Sequence, residues 1–226
     1  ANDQVVKRIN EYISKPLLHS YYYPTKIRAK FLKKLIRMTP SYFDKAILLS
    51  VGTEATERAI KISRIYGESV SKGKSIIVGG EGNYHGKTLG AQMVGGQHAD
   101  KDWIGYLDPN MKHMPFPFPW ELDNFDGDGK DMFYSHLKLF EDQGVDLTKI
   151  AAFFVESFQG WGAIFYPVEY IKAMREWSLQ NNTLLVFDEI QAGFGRTGKF
   201  FAYEHYDVDP DLVICGKGIS GSIPLS

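Results

Sequence analysis

Apolar positions along the chain fall into two patterns: amphipathic stretches spaced by three or four, and short runs that are apolar at almost every position. Val5, Val6, Ile9 and Ile13 share one face of a predicted helix over 3–14. A second helix opens at Pro24, whose fixed φ suits a first turn, and carries Ile27, Phe31 and Leu35. KAILLS (45–50) predicts a buried strand, followed by Gly52-Thr53 and a helix over TEATERAIKISRIYG (53–67). SIIVGG (75–80) predicts the next strand. Residues 81–130, with PFPFPW at 115–120 and DGDG at 126–129, predict mostly loop, and 131–142 predict a helix. IAAFFVE (150–156) and TLLVFDE (183–189) predict strands with a helix over 168–181 between them, and DLVICG (211–216) predicts a last strand. Near-continuous apolar strands are the pattern of a mostly parallel sheet with helices on both faces, an α/β class with three layers. Ligands of such sheets bind beyond the carboxyl ends of the strands. The polar and glycine residues concentrate there: Gly52-Thr53, Glu81 to Thr88, Glu156 to Gly162, Asp188 to Gly198, and Lys217.

Composition narrows the class. Of 226 residues, 44% are apolar and 23% charged, which excludes a disordered, collagen-like or disulfide-framework chain. Lys plus Arg number 26 against 27 Asp plus Glu, a net charge of −1 that gives no footprint for nucleic acid. No apolar run approaches the roughly 18–20 residues that span a bilayer, so no membrane partner is expected. The N-terminus has no signal-peptide core and no starting Met. The single cysteine, Cys215, fits a reducing, cytoplasmic setting.

Several residue groups invite chemistry, each with a plainer alternative. Asp188 and Glu189 end an apolar strand, either as site carboxylates or as caps of the following turn. Lys217 has apolar residues before it and glycine on both sides, which partly desolvates an amine, lowers its pKa and makes it a nucleophile for a carbonyl; the alternative is a solvated surface lysine. Gly52-Thr53 opens a helix after a strand, which suits either a phosphate at the helix N-terminus or an ordinary Thr53 cap. GFGRTG (193–198) matches a dinucleotide fingerprint but lies away from the strand end and precedes no long helix, so it is rejected. SIIVGGEGNYHGKT approximates a phosphate-binding loop with LLVFDE as its acidic strand, although three or five residues separate its glycines where four are required. The histidines and the cysteine show no zinc spacing, and no metal is expected.

Taken together, VFDEIQAGFGRTGKFFAYEHYDVDPDLVICGKGISG (186–221), GTEATE (52–57), YHGKT (84–88) and VESFQGWG (155–162) resemble the large domain of a class III (omega-type) pyridoxal-phosphate-dependent aminotransferase, a fold type I enzyme. The 29-residue separation of Asp188 from Lys217 is of the family's kind. The resemblance implies that Lys217 forms the Schiff base with pyridoxal 5'-phosphate and then shuttles the substrate proton. It implies that Asp188 pairs with the pyridine nitrogen and so makes the ring an electron sink. Tyr84 and Ile190 then take the two ring faces, Gln191 bonds the ring hydroxyl, Gly52 and Thr53 hold the phosphate, and His85 and Glu156 line the pocket. The implied activity moves an amino group from an amine or amino acid to a 2-oxo acid by a ping-pong aldimine mechanism, in a homodimer. A catalytically silent chain with a binding role and a P-loop-like ATPase are the alternatives.

The sequence also departs from the family pattern. Val51 stands where a hydroxyl residue is usual, Lys87 where Arg is common and Ser157 where Pro usually follows the acid. Trp161 replaces the Glu of ornithine- and 4-aminobutyrate-type members, either to wall the substrate pocket or as a structural aromatic beneath the loop. Residues 1–44 are expected to be a helical lead-in and 45–226 an incomplete cofactor-binding large domain, with the C-terminal small domain absent.

Overall fold

The computed structural model describes residues 2–16, 23–220 and 223–226. Gly221, the last residue of the long string quoted above, lies outside them. The chain divides into two compact units, Ala1–Leu48 and Leu49–Ser226. The first holds α1 (Asp3–Ile13) and α2 (Lys26–Met38). Asn2 caps α1 by accepting from the amides of Gln4 and Val5. Thr25 caps α2 by accepting from Arg28 N, so Pro24 lies one residue outside the helix rather than in its first turn.

In the second unit the order is α3 (Gly52–Val70), β1 (Ile76–Gly80), α4 (Leu89–Val94), β2 (Met111–Met114), α5 (Pro119–Leu122), α6 (Gly129–Asp142), β3 (Ile150–Glu156), α7 (Val168–Gln180), β4 (Leu184–Asp188) and β5 (Leu212–Ile214). Among the described residues these strands form one sheet in the order β2-β1-β3-β4-β5, and every pair is parallel. From β1 the chain steps outward to β2, then returns to β3 on the other side of β1. The order therefore reverses between β1 and β3, the position where parallel sheets open a crevice at their carboxyl edge.

Helices cover both faces. Ala59 and Ile60 of α3 pack with Ile77, Ala152, Phe154, Val186 and Ile214 on one side. On the other, Phe153 meets Phe133 of α6 and Trp177 of α7 edge-on, with centroids 6.0 and 5.6 Å away. The alternation of Ala152 and Phe154 against Phe153 is the period-two consequence of a strand buried twice.

Two strand expectations are corrected. KAILLS forms no strand: Lys45 and Ile47 are exposed, and only Leu49 pairs, exchanging both backbone bonds with Ser226 at 2.8 and 2.9 Å. An apolar run marks a tendency to be buried, but a neighbouring ladder is what makes it a strand. The segment 81–130, expected to be mostly loop, contains α4, a 3-10 helix at His98–Ile104, β2 and α5. β2 escaped notice because it is an edge strand reading Met-Lys-His-Met, with only its two methionines fully buried.

Candidate active site

The ends of β3 and β4 place two carboxylates side by side, since Glu156 is the register partner of Asp188. Both are buried. Asp188 Oδ1 accepts from Ile190 N at 2.9 Å, and Oδ2 lies 2.8 Å from His85 Nδ1. Burial works to lower the imidazole pKa, but the Asp188 hydrogen bond and the charges of Asp188 and Glu156 prevail and hold it above its ordinary value. His85 Nε2 is buried and takes no partner. Glu156 Oε2 accepts from Tyr84 N at 3.0 Å. Burial, helped by the Asp188 charge, pushes its carboxyl up to about 7, against the pull of His85 and of the Tyr84 and Gly160 amides.

The adjacent Glu189 plays a different part. It is wholly shielded, and its carboxylate accepts from the Ser157 hydroxyl, from Tyr203 N at 2.8 Å and from Ala202 N at 3.0 Å. Burial raises its pKa while these three donors oppose the rise. Of the two acids ending the apolar strand, Glu189 thus caps the structure that follows, and Asp188 is the one beside His85.

Lys217 follows β5, whose Ile214 is paired with Asp188. Its Nζ donates to Gln191 Oε1 at 3.1 Å, and Gln191 Nε2 donates to Gly160 O at 3.3 Å. The side chain is exposed, which corrects the expected partial desolvation: neighbours in sequence do not bury a side chain that leaves the sheet at a left-handed backbone angle, φ 37°. Ile190 fills the space between Gly52 and Gly216. A Cβ on Gly52 would stand 2.7 Å from Ile190 Cδ1, so glycine lets Ile190 keep its place against the start of α3. Val51 occupies the cap position of α3 and offers its amides no side-chain oxygen. Thr53 lies inside the helix, not at its cap. Its hydroxyl pairs with Thr88 Oγ1 at 2.7 Å and accepts from Thr88 N at 3.3 Å. At α3's start, Thr53 therefore has its backbone amide rather than its hydroxyl to give to an anion.

Tyr84 is 43% exposed and Trp161 63% exposed, so Trp161 is not a structural aromatic beneath the loop. Trp161 follows Gly160, whose absent Cβ would meet Glu156 Oε1 at 3.0 Å and Gln191 Nε2 at 3.2 Å. The phosphate-binding-loop alternative fails on its partners. Tyr84 N is taken by Glu156, and in the first turn of α4 Gly90 N and Ala91 N are taken by Glu57 Oε1 at 2.8 and 3.1 Å. Sequence reasoning quoted Glu57 and Thr88 only as members of longer segments and missed their contact, as it missed that of Ser157 with Glu189. The spacing of Thr53, Thr56 and Glu57 on one face of α3 was the available signal for the first of these. No group of three or more His, Cys, Asp or Glu among the described residues is arranged to hold a metal.

The family model for class III aminotransferases matches residues 1–226. The chain belongs to that family. It is 35% identical over 225 residues to the [LysW]-aminoadipate semialdehyde/glutamate semialdehyde transaminase of Sulfurisphaera tokodaii, covering 97% of this chain and 51% of the relative. It is 30% identical over 216 residues to the diaminobutyrate–2-oxoglutarate aminotransferase of Haemophilus influenzae, covering 92% and 46%. An amine transaminase from an uncultivated Pseudomonas species, solved in its PLP-bound internal aldimine form, superposes with a TM-score of 0.88 at 25% identity, covering all of this chain and 52% of that one. This class III chain thus spans about half the length of the curated relatives it matches. Among its described residues no helix is long and apolar enough to cross a membrane.

Proposed function

We propose that this chain carries the cofactor-binding part of a pyridoxal-phosphate-dependent aminotransferase that moves an amino group from an amine or amino acid to a 2-oxo acid. The observation that carries the reading is the placement of two groups at the same edge of the sheet: Asp188, buried at the end of β4, and Lys217, three residues beyond Asp188's register partner Ile214, with its amine bonded to Gln191. The residues present fit the cofactor. The uncapped start of α3 suits its phosphate, Ile190, packed against Gly52 and Gly216, supplies an apolar side chain beside it, and the buried Asp188 carboxylate suits a protonated ring nitrogen. When bound, pyridoxal phosphate supplies an electron sink for the carbanion at the substrate α-carbon.

The chain's own residues then have distinct tasks. The first amides of α3, at Gly52 and Thr53, bind the phosphate. Asp188 would hold a proton on the ring nitrogen, and His85 Nδ1 keeps the Asp188 side chain in place through its contact with Oδ2. Tyr84 and Ile190 confine the ring, Gln191 orients the ring hydroxyl and Glu156 fixes the Tyr84 and Gly160 backbones. Lys217 Nζ would attach the cofactor and, once freed by the substrate amine, would be the group placed to take a proton from the α-carbon and return one. Trp161, beside Gly160, walls the side chain of the amino donor. The large-domain assignment of residues 45–226, a homodimeric assembly and a cytoplasmic setting complete the proposal. The exposed Trp103 and Tyr106 support the second of these, and the lone, unpaired Cys215 thiol the third.

The test is the mass of the chain and its peptides after pyridoxal phosphate is added and reduced with borohydride. One added pyridoxyl phosphate on Lys217, absent from Lys217→Ala, is the expected result. Label scattered over surface lysines, or none, would overturn the reading for this chain.

A further inference from the structure

One residue beyond the paired carboxylates lies a second polar network that the proposed chemistry leaves unused. Ser157 follows Glu156 and Glu189 follows Asp188, and neither Ser157 nor Glu189 has any solvent exposure. The Ser157 hydroxyl donates to Glu189 Oε1, which also receives Tyr203 N at 2.8 Å, while Oε2 receives Ala202 N at 3.0 Å. Ser157 is gripped from its other side as well. Its carbonyl accepts from the Tyr206 hydroxyl at 2.6 Å, and that hydroxyl oxygen accepts from Tyr166 N at 3.1 Å. A buried carboxylate is costly unless its lone pairs are met. This one is met by three donors from two separate segments, the exit of β3 and the 3-10 helix Ala202–Tyr206. Two of the three are backbone N–H groups, one on each oxygen, so a carboxylate satisfies both while an amide would set its own N–H against one of them.

We propose that Ser157 and Glu189 are positioning residues: their contact ties the exit of β3 to the exit of β4 and so sets the separation of Glu156 from Asp188 and the aim of Asp188 at His85. The clamp rests on the reading of Asp188 given above, because its consequence for turnover exists only if Asp188 faces the cofactor. The physical argument is local. Strand register pairs β3 with β4 up to Glu156 and Asp188 and no further; Glu189 N still donates to Ile214 O at 2.8 Å on the β5 side, but no ladder bond ties Ser157 to Glu189. A side-chain crosslink one residue further on restores that restraint in a network that polarises cooperatively. A displacement of about 1 Å at a positioned group is enough to slow chemistry without weakening binding.

The experiment follows His85 by nitrogen-detected titration of the full chain without cofactor, alongside steady-state kinetics of the loaded enzyme. His85 faces Asp188 and Glu156, so its midpoint reads their distance. Ser157→Ala is expected to lower that midpoint by about half a unit. In the same variant kcat falls about tenfold while KM stays within about twofold. Ser157→Thr restores both, and Glu189→Gln, which turns an amide N–H towards amide donors, exceeds Ser157→Ala in both. A Ser157→Ala chain with a lower thermal midpoint but wild-type His85 titration and kcat would overturn the proposal, showing a purely structural role. Should Glu189→Gln not fold, Ser157→Ala and Ser157→Thr still decide. If the wild-type chain takes up no pyridoxal phosphate, the proposed function fails while the His85 titration still decides the clamp.

Discussion

His85 Nδ1 stands 2.8 Å from Asp188 Oδ2, with both side chains withdrawn from solvent. Neither group is at ease alone: burial disfavours an imidazolium and a carboxylate alike, and each is tolerated because the other is there. The raised His85 pKa contributes stability that is complete below the unfolded value of 6.5 and is lost as pH rises through the folded value. Asp188→Asn removes the charge that raises it. The expected outcome is a lowered His85 midpoint, since burial is then opposed by the Glu156 charge alone, together with a loss of turnover of about 100-fold or more. Nitrogen-detected titration and single-turnover kinetics check the two parts separately.

Glu156 gives a prediction with a defined pH window. Its carboxyl is pushed from 4.5 to about 7, so the folded chain prefers the protonated form. The stability it contributes is therefore present at acid pH and lost as pH rises from about 4.5 through about 7. Glu156→Gln imitates the protonated group and can still accept from Tyr84 N. In urea titrations the variant should match wild type near pH 4 and exceed it near pH 8, by an amount on the order of 3 kcal/mol. Equal stabilities across the range would show that Glu156 is ionised and satisfied in the folded chain.

Gly52 and Ile190 form a pair that can be tested by compensation. Alanine at 52 would gain about 1 kcal/mol of helix propensity, but its Cβ would meet Ile190 Cδ1 at 2.7 Å. Since Cδ1 ends a flexible side chain, the helix should survive while Ile190 shifts into the ring space. Gly52→Ala is expected to weaken pyridoxal phosphate binding about tenfold or more, and the double variant Gly52→Ala/Ile190→Val, which lacks Cδ1, to recover most of it. Absorbance titration with the cofactor reads both. No recovery in the double variant would place the damage in the α3 amides instead.

Much of this architecture was legible because burial on both faces leaves a plain mark. IAAFFVE and TLLVFDE sit in the centre of the sheet, and no polar residue interrupts their strands until Glu156 and Asp188, where the chain exits. Edge positions carry no such mark, which is why Met111–Met114 was missed; KAILLS carries the apolar run but has no ladder beside it, which is why it was misread. Candidate residues at strand ends could be named from position and resemblance, since the carboxyl edge is where a parallel sheet presents them. Their partners could not. The Thr53 hydroxyl turns to Thr88 and the Ser157 hydroxyl to Glu189, contacts across 35 and 32 residues that depend on how loops fold over the sheet. The exposure of Lys217 is likewise set by the backbone angle at the exit of β5, not by the glycines beside it.

The far end of the sheet holds a charge whose removal should leave the chemistry untouched. Lys74 is almost wholly buried just before β1, and its Nζ donates to Thr148 O and Asn181 O at 3.1 Å and to Thr183 Oγ1 at 3.3 Å. Those acceptors precede β3 and β4, so one ammonium ties the amino ends of three neighbouring strands. Three acceptors use all three of its protons, which is the geometry of a charged amine, although burial and the nearby Lys149 pull its pKa below the ordinary value. Lys74→Met keeps most of the apolar stem and strands three oxygens without a donor. The cost should be about 3 kcal/mol, read as a lower urea midpoint with an unchanged slope. Cofactor affinity per folded molecule should not change, because the site lies at the opposite edge of the sheet. A Lys74→Met chain as stable as wild type would mean that water replaces the ammonium at no cost. A Lys74→Met chain that folds but loses the cofactor would mean that the two edges of the sheet are coupled.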